Sequence, residues 1–207
     1  KEFLSHIRNL YKLLPGYHAL RKNASCIVAG SMATKAQLPE KYRDKILYLP
    51  ENAIDTNRFS LRNTSEYSLP IKAAFVGRLV PYKGADMAIE AMADLVREGK
   101  MTFDIYGTGP EQEKLSNMVK ELGLEGKVVV HGFVPNTELQ GRLVNADIFV
   151  FPSVREFGGG VVLESMALGV VPVIADYAGP AELVTKSSGY VVPLGPRAAL
   201  IEGFKKQ

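Results

Sequence analysis

The chain has 207 residues, of which 46% are hydrophobic and 23% are charged, and its formal net charge is +3. This size and apolar content support one sizeable core with an appendage, while the small net charge gives no reason to expect nucleic-acid binding. The single cysteine, Cys26, excludes a disulfide framework and favours a reducing compartment, so we expect a cytoplasmic location. Cys26 lies in an apolar run, which predicts a buried, inert thiol.

The first residues are basic. Residues 1–22 are predicted to be helical up to Pro15–Gly16, which interrupt the pattern. One interpretation of the basic residues is peripheral contact with an anionic membrane surface or an acidic partner, and the simpler one, which we favour, is a solvated helix face. The chain begins with Lys1 rather than Met, which indicates a piece of a longer protein.

Two short strands are predicted next, at 25–29 and 46–49, with Ser31 as the cap of a short helix between them. The stretch from Asn52 to Arg58 is polar and predicts a connector. Because low hydrophobicity continues towards residue 70, we place a domain boundary near residues 60–70 and predict two regions, 1–60 and 61–207.

After Pro70 the pattern becomes regular. Apolar runs predict six strands, at 73–76, 102–106, 128–130, 148–151, 171–175 and 190–192. Amphipathic helices alternate with them, and the third helix opens with a capping-box pattern, Thr137 followed by Gln140. Apolar strands alternating with helices indicate an α/β fold, a parallel sheet of about six strands with helices on both faces. In such sheets ligands bind at the carboxyl ends of the strands.

The strand at 148–151 leads into three consecutive glycines, Gly158, Gly159 and Gly160, and then into a helix. A glycine turn at a helix start presents backbone N–H groups to an anion. Glu156 precedes this turn, and Glu164 lies about one helical turn inside the helix. An anion cradle with a carboxylate at each end suits a ligand with both phosphates and hydroxyls, such as a nucleotide sugar.

Other strand ends add further candidates. The first carries two cations, Arg78 and Lys83, which suit phosphate oxygens. The second carries Gly107 and Gly109, but the fingerprint of a dinucleotide site is incomplete there, which argues against NAD. His131, after the third strand, has no metal-ligand spacing around it and is interpreted as structural. The backbone of 132–134 is a candidate for nucleobase contacts.

In this order, the strand ends resemble the C-terminal half of a retaining GT-B glycosyltransferase of the sucrose-synthase and mannosyltransferase type. The matching pieces are FVGRLVPYKG (75–84), DIYGTGP (104–110), VVHGFVP (129–135), ADIFVFPS (146–153), the glutamates 156 and 164 with seven residues between them, and GVVPVIADYAGPAELV (169–184). Residues 24–59 resemble the end of the front domain and the hinge. The resemblance therefore implies a Rossmann-like back domain, truncated at its end, and a remnant of an N-terminal acceptor domain.

The resemblance also implies roles. Arg78 and Lys83 bind the donor diphosphate and stabilise the leaving charge, and Glu156 contacts hydroxyls of the transferred sugar; these three residues are the expected catalytic set. Glu164 takes the ribose hydroxyls. The remaining donor contacts are expected at the strand ends and the helix start, at Gly77, Gly107, Gly109, Val134, Gly159, Gly160 and Val161. The implied reaction retains the anomeric configuration and needs no metal, and the sequence has no D-x-D motif.

Two features depart from the family pattern. Phe157 follows Glu156 at once and three glycines come after it, so the loop around the donor sugar differs. Most of the acceptor domain has no counterpart here, so the chain is expected to bind donor without transferring sugar. A sugar, lipid-linked or small-molecule acceptor would bind through the missing domain. Two alternatives stay open: a nucleotide-binding module without transferase activity, and another GT-B nucleotide-sugar enzyme, an epimerase or an inverting transferase.

Overall fold

A computed structural model describes residues 10–50, 52–62 and 67–207. The chain divides into two compact units, Lys1–Glu51 and Asn52–Gln207. The assignment of residues 1–60 to an acceptor domain stays a prediction. The predicted helix over residues 1–9 lies outside the described residues.

In the first unit, two parallel strands flank a short helix. They are β1 (Ile27–Ala29) and β2 (Ile46–Tyr48), preceded by α1 (Pro15–Asn23) and separated by α2 (Met32–Gln37). Short 3-10 segments lie at Leu10–Leu13 and Glu40–Lys45. The predicted cap is confirmed, because the Ser31 hydroxyl accepts a hydrogen bond from the Thr34 N–H at 3.0 Å.

Two predictions for this unit are wrong. Pro15 does not end a helix but starts one, because a proline in the first turn removes an N–H that would have no partner there. Cys26 is exposed rather than buried. Strand alternation places Cys26 and the exposed Val28 on the same side of the chain, opposite the buried Ala29.

The second unit contains a six-stranded parallel sheet. Its strands are β3 (Ile71–Val76), β4 (Met101–Tyr106), β5 (Val128–Gly132), β6 (Ile148–Phe151), β7 (Val171–Ala175) and β8 (Tyr190–Val192). Their order across the sheet is β5-β4-β3-β6-β7-β8, and all neighbours pair in parallel. The predicted bounds of β6, β7 and β8 are confirmed to the residue.

Helices connect these strands and flank the sheet. They are α3 (Ala85–Arg97), α4 (Gln112–Glu121), α5 (Asn136–Leu143), α6 (Gly160–Ala167), α7 (Ala178–Leu183) and α8 (Arg197–Lys205). The predicted α/β fold is therefore confirmed. The capping box is wrong, because α5 begins at Asn136 and its first residues make no side-chain cap. Thr137 thus lies inside the helix instead of before it.

The core explains why these segments fold as they do. Consecutive residues of the central strands β3 and β6 are buried, because helices cover both faces of the sheet, and the largest fully buried side chains include Phe75, Phe103, Phe149 and Phe151. Burial of one such side chain contributes about 1.5–3 kcal/mol, so these four rings make a large contribution to the stability of the unit. The sheet reverses its direction of growth between β3 and β6, and in open parallel sheets such a switch point forms a crevice at the carboxyl ends.

Among the described residues, every helix is too short or too polar to cross a bilayer.

Candidate functional site

A cleft of about 430 Å³ lies at the carboxyl ends of β3, β4 and β5. Five residues predicted to bind donor line it together, namely Gly77, Arg78, Gly107, Gly109 and Val134. The structure therefore places the first half of the predicted site at one end of the sheet.

The loops that leave β3 and β4 pack directly against each other on one side of this cleft. The Leu79 N–H donates to the Thr108 carbonyl at 2.9 Å, and the Gly77 N–H donates to the Tyr106 carbonyl at 3.0 Å. A Cβ atom at Gly107 would lie 1.9 Å from the Gly77 oxygen, and one at Gly109 would lie 2.2 Å from the Leu79 oxygen. Glycine is thus required at both positions by the neighbouring loop, whatever ligand the cleft binds.

Arg78 lies exposed on the rim of the cleft. In the part of the chain that the structure describes, its guanidinium has no hydrogen bond or ion pair. A guanidinium presents several N–H donors in a planar fork that matches phosphate oxygens. Arg78 is therefore free to receive an anion that enters the cleft.

Lys83 and Glu156 meet at the switch point between β3 and β6. Lys83 ends the short 3-10 segment Pro81–Lys83 that follows β3, and Glu156 lies in the loop that follows β6. The two side chains form an ion pair and are only 15% and 19% exposed. The loops are also joined by their backbones, since the Val154 N–H donates to the Tyr82 carbonyl at 2.9 Å. Two of the three predicted catalytic residues therefore lie in direct contact.

The glycine turn leads into α6 as predicted. Gly159, at the N-cap, has φ +72°, and the first hydrogen bond across this turn is donated by the Val162 N–H to the Gly159 carbonyl at 2.8 Å. The N–H groups of Gly160 and Val161 lie ahead of that bond, in the first turn of a helix, where backbone donors have no intrahelical acceptor. Together with the helix dipole, they form a positive end that suits phosphate.

Neighbouring segments hold this turn in place. A Cβ atom at Gly159 would lie 2.7 Å from the Pro180 ring, and one at Gly179 would lie 2.2 Å from the Phe157 carbonyl oxygen. On its other side, a Cβ atom at Gly158 would lie 2.1 Å from the amide nitrogen of Asn52. Phe157 itself is 74% exposed, so its ring lies on the surface beside Glu156.

Glu164 is half-buried in α6. Burial raises the pKa of its carboxyl above the ordinary glutamate value, and the charge of Arg58 opposes this shift. In the described residues, this carboxylate has no hydrogen-bond partner. A half-buried acceptor without a partner is suited to ligand hydroxyls, which would supply the missing hydrogen bonds.

Asn52 and Arg58 also lie near this site, and neither is among the site residues predicted from the sequence. Both lie in the polar segment that was interpreted only as a connector. They belong to the segment 49–59 (LPENAIDTNRF), which resembles the family's hinge, and that resemblance implies no side-chain role. Contacts of Asn52 with the glycine turn join positions more than a hundred residues apart, which local patterns do not reveal.

His131 lies beside the cleft and not within its lining. Its Nε2 is 2.5 Å from the Asp104 carboxylate, and its ring stacks on Tyr106 with a centroid distance of 4.7 Å. Burial and the negative charge of Asp104 raise the pKa of Tyr106. These contacts agree with the structural interpretation of His131. Among the described residues, no group of three His, Cys, Asp or Glu side chains is arranged to hold a metal ion.

The family of the chain follows from its similarity to known proteins. Residues 56–206 match the family described as glycosyl transferases group 1. The chain belongs to this glycosyltransferase family. The match covers the whole six-stranded sheet and every predicted site residue, from Gly77 to Glu164.

Curated relatives and solved structures agree. The chain is 30% identical over 208 residues to a colanic acid biosynthesis glycosyltransferase of Salmonella typhimurium, covering 97% of this chain and 50% of the relative. It is 31% identical over 189 residues to an alpha-D-kanosaminyltransferase of Streptomyces kanamyceticus, covering 85% of this chain and 49% of the relative. The chain thus spans about half the length of these curated relatives.

Two solved structures share the fold. The pneumococcal O-GlcNAc transferase GtfA, in complex with UDP and GlcNAc, matches with a TM-score of 0.74 and 20% identity, over 89% of this chain and 38% of the other. The Anabaena protein HepE, in complex with UDP and glucose, matches with a TM-score of 0.70 and 23% identity, over 90% of this chain and 54% of the other. The group 1 glycosyltransferase chain described here therefore has the Rossmann-like fold of GT-B enzymes.

Proposed function

We propose that this chain is the donor-binding part of a glycosyltransferase, and that it binds a nucleotide sugar at the carboxyl ends of β3 to β6. The observation that carries the proposal is the placement of three groups at this end of the sheet: the Arg78 guanidinium and the Glu164 carboxylate, neither of which has a hydrogen-bond partner among the described residues, and the helix start at Gly160–Val161. The complexes of two structural neighbours, GtfA with UDP and GlcNAc and HepE with UDP and glucose, support the same class of ligand.

Each part of the ligand has a partner in this proposal. Arg78, Lys83 and the N–H groups of Gly160 and Val161 bind the diphosphate, Glu164 binds the ribose hydroxyls, and Glu156 binds the sugar. Gly77, Gly107, Gly109 and Val134 line the cleft beside Arg78, which is the proposed place of the nucleobase. Glycosyl transfer breaks a bond to a phosphate oxygen, so negative charge grows on the diphosphate, and fixed donors aimed at this charge lower the barrier.

The finer properties are also proposals. We propose transfer with retention of the anomeric configuration and without a bound metal; the glutamate spacing and the absence of a D-x-D motif support these points. The acceptor, a sugar, lipid-linked or small molecule, would bind outside this chain, which is consistent with its spanning half of its curated relatives. Cytoplasmic location and peripheral membrane contact stay predictions.

Calorimetric titration with UDP, GDP and ADP, each with and without its sugar and without added divalent metal, tests the proposal. We expect one nucleotide to bind selectively. The double variant Arg78→Ala/Lys83→Ala should reduce its affinity at least about a hundredfold, since two charge-assisted phosphate contacts of about 1.5–3 kcal/mol each are removed.

The matched control is Lys100→Ala/Lys120→Ala, which removes two cations at the opposite end of the sheet. It should leave the affinity within about twofold of the parent value, because exposed, distant charges are screened by salt. Equal losses of nucleotide affinity in both double variants would show that the effect comes from the change in net charge alone. Absence of binding by any nucleotide to the folded parent chain would contradict the proposal.

A further inference from the structure

The ion pair between Lys83 and Glu156 has a consequence for what the site binds. In the structure, the ammonium proposed to bind the diphosphate is paired with a carboxylate. The pair is well fixed, since both side chains are more than four-fifths buried and the second oxygen of Glu156 accepts a hydrogen bond from the Phe157 N–H at 3.0 Å. The Lys83 ammonium also lies 5.0 Å from the centre of the Phe151 ring, which restricts its position further.

A diphosphate oxygen that reaches Lys83 must therefore approach the Glu156 carboxylate. Two negative charges held near one ammonium in a partly buried crevice repel each other, and exclusion of water strengthens this repulsion. The cost depends on the charge of the terminal phosphate. A free terminal phosphate carries close to two negative charges at neutral pH, whereas one esterified to a sugar carries one.

A sugar changes the balance in a second way, because its hydroxyl groups are hydrogen-bond donors. Placed at the diphosphate end, they can donate to the Glu156 carboxylate, and bonds to an ionised acceptor are among the strong ones. The same carboxylate thus opposes a nucleoside diphosphate and favours its sugar conjugate.

We infer that Glu156 sets the preference of the site for a nucleotide sugar over the free nucleoside diphosphate, through its ion pair with Lys83. The inference rests on the proposed function and adds a repulsive role to a residue otherwise assigned only to sugar contact. In the complete enzyme the same repulsion would favour release of the nucleoside diphosphate after the sugar has left.

Glu156→Gln tests this inference, since the amide keeps the shape and an oxygen acceptor for the Phe157 N–H but removes the charge. Affinities are measured by calorimetry for whichever of UDP, GDP and ADP binds the parent chain most tightly, and for its conjugate among UDP-glucose, GDP-mannose and ADP-glucose. We expect the variant to bind the free diphosphate about tenfold more tightly, the effect of about 1.4 kcal/mol of removed repulsion. The sugar conjugate should bind equally or more weakly.

Glu121→Gln, at the end of α4, is the matched control, because it removes one negative charge far from the site. It should leave the ratio of the two dissociation constants unchanged. Glu156→Ala should shift this ratio in the same direction as Glu156→Gln, and circular dichroism establishes that each variant is folded.

The outcomes separate this inference from the proposed function. If Glu156→Gln and Glu156→Ala weaken both ligands equally, or leave the free diphosphate no tighter, the pair is only structural and the inference is overturned. If no nucleotide binds the folded parent chain, the proposed function itself fails. Loss of folding in both variants would assign the pair to the fold and would also overturn the inference.

Discussion

The ribose contact that we propose for Glu164 comes at the expense of stability. It lies half-buried in α6 without a hydrogen-bond partner among the described residues, and burial raises the pKa of its carboxyl. Such an ionised group is less favourable in the folded chain than in the unfolded chain, unless a ligand supplies donors. Binding sites commonly retain such groups because the ligand removes the cost.

The pH dependence of Glu164→Gln tests this view. A raised pKa means that the carboxyl contributes stability while protonated, which is lost as the pH rises from the ordinary value of 4.5 through the folded-state value. The variant should therefore melt at a higher temperature than the parent chain at pH 7. The difference should close in more acidic buffer, below pH 4.5.

The same variant should bind nucleotide more weakly, by about 1–3 kcal/mol, because a charged hydrogen-bond partner is lost. Thermal melts across pH and calorimetry at neutral pH give both quantities. Unchanged affinity would remove Glu164 from the proposed ribose contact, and lower stability of the variant at pH 7 would contradict the cost assigned to burial of the carboxylate.

At the level of the element, the start of α6 depends on two glycines for different reasons. Gly159 has φ +72° and a Cβ atom there would lie 2.7 Å from Pro180, so both backbone and packing require glycine. Gly160 has no such conformation, and its nearest contact would be an ordinary 3.5 Å to the Asn52 amide oxygen. The structure therefore requires glycine at position 159 but not at position 160, where we propose that the ligand needs the space.

A pair of alanine variants separates these roles. Gly159→Ala should lower the free energy of unfolding by at least about 1–2 kcal/mol, the cost of a side chain in the left-handed region. Gly160→Ala should keep or raise it, since alanine is favoured over glycine in a helix by about 1 kcal/mol. Its added methyl group should still weaken nucleotide binding. Urea denaturation and calorimetry measure both effects, and equal stability of the two variants would contradict this division.

At the scale of the whole second unit, an ion cluster joins its first helix, α3, to its last helix, α8. Arg197, at the start of α8, donates to Glu90 at 2.7 Å and to Asp86 at 2.9 Å, both on α3. These bonds raise the pKa of the guanidinium, which stays charged throughout. The cluster joins residues more than a hundred positions apart, at a side chain that is half exposed.

Arg197→Gln should lower the free energy of unfolding by about 0.5–1 kcal/mol at low salt, and by less at high salt, as expected for exposed ion pairs. Nucleotide affinity should not change, because the cluster lies outside the proposed site. Arg43→Gln, which removes the exposed pair with Glu40, is the control and should have a smaller effect. A salt-independent loss would show that packing of α8, and not charge, holds this edge.

The sequence by itself determined the alternation of strands and helices and the cap at Ser31, because these depend on residues within one or two turns of each other. Motif order also identified the family, since it places the same residue types after successive strands. Local patterns did not determine the exposure of Cys26 or the start of α5, where the capping box was wrong.

Only the tertiary structure decided which of these residues meet. Lys83 and Glu156 lie 73 positions apart, and their contact exists because β6 pairs beside β3 at the switch point of the sheet. Asn52 also lies against the glycine turn, because tertiary packing brings together two segments that are far apart in the sequence. Long-range pairing depends on the free energy of the whole core, which no short stretch of sequence contains.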